Sequence, residues 1–159
     1  MENRRQFLIE NKSLHEASAP PERSETNAPD CKLEICVIFT SVECTIAAMR
    51  RAAGLLEGLD GHIRLVDVQS VPHLLPLENP PVSLDFSKRR LLTIAEESPV
   101  ETSVYVYLCR LPFETLTSIL KARSPVVIGC HKGFWPTSEK RLARKLQRDG
   151  YDAILVETA

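Results

Sequence analysis

The stretch Val126–Leu146, VVIGCHKGFWPTSEKRLARKL, reads as a short apolar strand, a turn punctuated by Gly129 and Gly133, and a basic helix. Val126, Val127 and Ile128 favour an extended chain because their branched side chains pack well on a pleated surface. Leu142, Ala143 and Leu146 then recur at helical spacing. A strand feeding a helix through a glycine turn is the building unit of α/β proteins. Such turns also gather free backbone N–H groups where the helix dipole is positive, so they suit anions. The stretch therefore asks two questions, one about fold and one about ligand.

The same unit repeats outward along the chain. LEICVIF, from Leu33, is a continuous apolar run that reads as a buried strand. In the next segment Met49, Ala52, Ala53, Leu56 and Leu59 lie along one helical face, and Gly58 and Gly61 supply the stop. HIRLVDV, from His62, is a second strand. The segment from Ser70 to Asp85 carries Pro72, Pro76, Pro80 and Pro81, which exclude regular structure there. FSKRRLLTIAEES, from Phe86, predicts a helix that stops before Pro99, and TSVYVYLC, from Thr102, a third strand. Pro112 then sits in the first turn of a helix whose apolar face is Phe113, Leu116 and Leu120. After the opening stretch, YDAILVE makes a fifth strand. Five strands alternating with four helices predict a parallel sheet covered on both faces, with right-handed crossovers.

Residues 1–31 read differently. Asn11–Asp30 is rich in Ser, Pro, Glu and Asn, too polar to repay the entropy of ordering. The expectation is a disordered tail over 1–31 and one domain over 32–159. The N-terminal MENRRQFLIENK has no apolar core segment and does not read as a secretory signal.

Composition removes several function classes. With 20 basic and 21 acidic residues the formal charge is −1, which gives no footprint for nucleic acid or an anionic membrane. No apolar run approaches the roughly 18 residues of a membrane span. The five cysteines are odd in number and form no C-x-x-C pair, which predicts a reduced, cytoplasmic protein rather than a disulfide framework. His15, His62, His73 and His131 are scattered, with no metal spacing among them.

From Leu33 onward the chain resembles a universal stress protein domain. VIFTSVECTIAAMRRAAGL resembles that family's first strand, loop and Ala-rich helix, and HIRLVDVQSVP its second strand. SVYVYLCRLPFETLTSILKA resembles the third strand with its Pro-started helix, and VVIGCHKG the turn usually written VIGSHG. The resemblance implies a Rossmann-like, adenine nucleotide alpha hydrolase-like sheet in the order 3-2-1-4-5, and commonly a homodimer. Its ATP-binding branch carries an Asp after the first strand and a G-x2-G-x9-G-[ST] segment. In this chain Thr40 stands at the Asp position, Gly129 matches the first glycine, and Lys132 replaces the second. Gly133 follows one place late, and Phe134, Trp135 and Pro136 crowd the shortened loop. A side chain at those glycines blocks backbone approach to phosphate.

The positions to inspect are therefore Thr40 and Ser41 after the first strand, with Gly129, His131, Lys132, Gly133, Thr137 and Ser138 after the fourth. Thr137 also reads simply as a helix N-cap, worth about 1 kcal/mol. Cys130–His131 invites a nucleophile reading, but adjacent side chains point apart and no third partner is named. The basic residues Lys140, Arg141, Arg144, Lys145 and Arg148 read as the solvated face of the last helix, and Tyr105 and Tyr107 as packing residues. The expectation is a non-enzymatic domain without ATP or another cofactor, acting through a homodimer or an unidentified protein partner. Its dimer edge is Ala153, Ile154, Leu155 and Val156. The second reading is an ATP- or AMP-binding protein that uses the altered turn at Gly129–Gly133.

Overall fold

The computed structural model describes residues 5–9, 32–77 and 79–159. Its elements run β1 (Arg5–Ile9), β2 (Leu33–Ile38), α1 (Val42–Leu55), β3 (Gly61–Ser70), α2 (Leu84–Glu96), β4 (Thr102–Cys109), α3 (Pro112–Ile119), β5 (Val126–His131), α4 (Ser138–Arg148) and β6 (Ala153–Thr158). One six-stranded sheet has the order β1-β4-β3-β2-β5-β6. From β2 to β6 every pairing is parallel. Counted from Leu33, those five strands stand in the order 3-2-1-4-5, a Rossmann-like α/β fold.

Side-chain alternation divides the core into two layers. Ile35 and Val37 of β2, Ile63 and Leu65 of β3 and Val104 and Val106 of β4 pack with α1 and α2. Their neighbours Cys36, Ile38, Val66 and Tyr107 face α3 and α4. A strand buried on both sides has no polar face to show, so β2 reads as an unbroken apolar run. Ala48 and Ala52 bring α1 close to the sheet, and each is fully buried. Ser41 caps α1 by accepting from the Cys44 N–H at 3.3 Å. Thr137 caps α4 by accepting from the Lys140 N–H at 3.4 Å. Gly150, at φ 91°, ends α4 in the left-handed region that glycine enters without strain.

The described residues of 71–83 form neither helix nor strand, as the prolines require, while Ser70 ends β3 and α2 begins at Leu84, two residues before the helix expected from Phe86. The segment is nonetheless held down. Leu77 enters the α1/α2 core layer. The Arg110 guanidinium donates to the carbonyls of Val71 (2.9 Å), Pro72 and Leu75 (2.8 Å). Tyr105 and Tyr107 are packing residues, as expected. Arg64 lies over the Tyr105 ring and donates to the Tyr107 hydroxyl at 2.7 Å.

One expectation is corrected. Residues 5–9, assigned from sequence to a disordered tail, form β1, antiparallel to β4 with Phe7 opposite Val106. The polar composition of Asn11–Asp30 dominated the reading and hid a five-residue run, RQFLI, that an open edge can pair through its backbone alone. The tail residues 10–31 lie outside the described residues.

Deleting residues 1–31 should leave the parallel sheet folded but open the β4 edge. Hydrogen exchange should then show the β4 amides that face β1 losing protection by roughly tenfold or more, while β2 and β5 amides keep theirs. Unchanged protection in β4 would contradict the pairing.

Candidate functional site

In a parallel sheet every strand-to-helix loop emerges at the carboxyl end, and a crevice opens where neighbouring connections diverge. Here that place lies beyond β2, flanked by β3 on one side and β5 on the other. It holds a cavity of about 330 Å³ between the β2 loop and the first turns of α3 and α4. Ile38, Val68, Phe113, Leu116 and Leu142 supply apolar wall, and Thr40, Ser138 and Glu139 supply the polar groups.

Thr40 and Gly129, singled out separately from the sequence, meet directly. The Thr40 hydroxyl donates to the Gly129 carbonyl at 2.9 Å, and the Thr40 N–H donates to the Thr45 hydroxyl at 3.1 Å. Gly129 is needed for a different reason from phosphate approach. A Cβ placed there would lie 2.0 Å from the Cys44 carbonyl oxygen, so the first turn of α1 rests on the bare backbone of β5. Gly133 has open space where its Cβ would be, and no close approach depends on it.

The rest of the turn is tied to the sheet. The Lys132 N–H donates to the Thr158 carbonyl at 3.1 Å, while its side chain is exposed. His131 is exposed, with Nδ1 3.3 Å from the Thr158 hydroxyl. Lys140, expected on the solvated face of α4, instead turns inward. Its Nζ donates to the Gly133 carbonyl at 2.7 Å and pairs with Glu157 at 2.7 Å. The hydrogen bond from Lys140 and its charge hold the Glu157 carboxyl below the usual range. Arg141, Arg144 and Arg148 are exposed as expected. Lys145 lies over the ring of Phe113, 3.7 Å from its centre.

Glu139, in the first turn of α4, was not among the positions chosen from sequence. Burial would raise its pKa, but hydrogen bonds from Thr137, its own backbone N–H and Ser138, with His131 nearby, outweigh this and lower it. The chain thus places its own carboxylate at the positive end of α4, where an anion would otherwise bind. The signal was an acidic residue directly after Thr137 and Ser138, a pattern that stabilises a helix start.

A second polar cluster was also missed. Asp67 is buried in β3, and Gln69 Nε2 donates both to its carboxylate and to the Ser87 hydroxyl, each at 2.7 Å. Burial raises the Asp67 pKa against the opposing effects of Gln69 and the Arg90 charge. A carboxyl raised in this way stabilises the fold at low pH and loses that contribution as pH climbs through its folded value. The Arg90 guanidinium lies over the rings of Phe39 (4.4 Å) and Phe86 (5.3 Å), and its buried Nε has no hydrogen-bond partner among the described residues. A lone Asp in the apolar run HIRLVDV was the available signal.

Cys130 is fully buried, and burial pushes its thiol up, so the Cys130–His131 pair has neither access nor an activated sulfur. Among the described residues no group of three His, Cys, Asp or Glu could hold a metal, and no helix is long and apolar enough to cross a membrane. No model of a known protein family matches the chain, and no curated protein does.

Gly129→Ala should drive the Cys44 carbonyl off β5 and lower stability by about 2 kcal/mol or more, the cost of overpacking a tight contact. Urea denaturation measures it. A variant as stable as wild type would show that α1 does not depend on this contact.

Proposed function

We propose that the chain is a non-enzymatic domain of the universal stress type that has lost the family's standard ATP site and works through a homodimer or a protein partner in the cytoplasm. The observation that carries this reading is the Glu139 carboxylate at the start of α4, hydrogen-bonded by Thr137 and Ser138. A nucleotide phosphate there would meet a fixed negative charge in place of free donors. Two further facts support it. Lys140 is engaged by Glu157 and the Gly133 carbonyl. Thr40 offers no carboxylate, and its proton is committed to Gly129.

The second reading, nucleotide binding through an altered Gly129–Gly133 turn, draws its support from the cavity at the carboxyl end of β2. Lys132, exposed on that turn, would be its cation. It requires Glu139 to move aside or take up a proton, against a pKa already held low.

The dimer rests on β6. Among the described residues no strand pairs it on the side away from β5. Asp152 and Thr158 turn their carbonyls to β5, whereas the Ala153 carbonyl turns outward to Gln147. Strand alternation therefore puts the backbone N–H of Leu155 on the open edge. Ile154, Leu155 and Val156 are only partly buried. A second copy related by a two-fold axis would pair that edge with its own twin.

Sedimentation velocity at micromolar concentration should give a species at twice 17.8 kDa. Leu155→Pro removes an outward N–H without cutting the β5 ladder, so it should yield folded monomer. A monomeric wild type, or an unaffected dimer in the proline variant, removes this edge from the account.

A further inference from the structure

We propose that the cavity beyond β2 binds a small aromatic or alkyl amine as its ammonium ion, with Glu139 as counter-ion and the apolar wall taking the hydrocarbon. This goes beyond the loss of ATP binding, because it assigns the same crevice a ligand of the opposite charge.

Size comes first. At about 330 Å³ the cavity lies at the lower end of small-molecule sites, enough for one substituted ring rather than a base, a sugar and phosphates together. Ile38, Val68, Phe113, Leu116 and Leu142 provide the apolar contact that such a ring needs.

Hydrogen-bonding capacity then selects the head group. Each polar side chain at the cavity has its proton committed elsewhere or has none. Thr40 donates to the Gly129 carbonyl. The Ser138 hydroxyl is hydrogen-bonded with Glu139, as is Thr137 behind it. The Glu139 carboxylate has only lone pairs to offer. The side chains that face the cavity therefore offer lone pairs and one negative charge, that of Glu139. An ammonium group brings three donors and a positive charge that complement this set, whereas a carboxylate or phosphate would meet the Glu139 charge. The nearby cations do not reverse this. Lys145 lies over the Phe113 ring, Lys140 is paired with Glu157, and neither lines the cavity. His131, near Glu139, does not line the cavity either.

The test uses the full chain and three probes of nearly equal shape, benzylamine, benzyl alcohol and benzoate, titrated at millimolar concentration by calorimetry. Benzylamine should bind about fivefold more tightly than the alcohol, the advantage of a partly exposed ion pair. Benzoate should not bind. Glu139→Gln should bring benzylamine down to the level of the alcohol while leaving the alcohol unchanged, and Glu139→Lys should transfer the preference to benzoate. Should either variant fail to fold, the methyl NMR signals of Leu116 and Leu142 in the wild type provide an independent readout. They should shift with benzylamine and not with benzoate. Benzoate binding as well as benzylamine, methyl signals that ignore benzylamine, or an amine preference that survives Glu139→Gln would each overturn the proposal.

Discussion

The contact between Gly129 and the first turn of α1 governs the carboxyl end of this sheet. Because residue 129 has no side chain, the Cys44 carbonyl rests directly on β5, and α1 packs across β5 and β6 as well as β2. The Thr40 hydroxyl then closes the junction by bonding the Gly129 carbonyl. The loop after β2 and the strand β5, far apart in sequence, are thereby locked together. The cavity on the opposite face of the sheet inherits a fixed floor, since Ile38 and Thr40 belong to the same locked segment.

From that junction the electrostatics of the turn follow. A helix start with a bare backbone attracts an anion, and this chain meets the demand with its own Glu139, supported by Thr137 and Ser138. A second cation near the turn, Lys140, is drawn to Glu157 on β6 and to the turn carbonyl of Gly133. Charge is thus balanced within the fold. In the account proposed here, the standard nucleotide site has become a self-satisfied helix start beside an apolar crevice, and association shifts to the open edge of β6.

The strands, the helices and their parallel alternation were legible because the relevant patterns are local, whereas the sheet order was implied by the resemblance alone. Runs such as LEICVIF need burial on two sides, and Leu142, Ala143 and Leu146 repeat with the helix period. β1 was not legible, since its order depends on a distant open edge on β4 rather than on its own composition. Thr40 and Gly129 were found, but the role of Gly129 depends on α1, which no reading of VVIGCHKG contains. Lys140 looked like one of several solvated basic residues; its partner Glu157 lies on another strand. Glu139 and Asp67 were visible as an acidic residue at a helix start and a carboxylate in an apolar strand. Only the third dimension shows that the first faces a cavity and the second is bonded by Gln69.

The central claim is that the start of α4 is already occupied by the protein's own negative charge. Isothermal titration of the full chain with Mg-ATP tests it most directly. The account predicts no saturable heat up to millimolar nucleotide. A single site saturating at micromolar ATP would contradict it, because such binding requires Glu139 to give up the position on which the account rests.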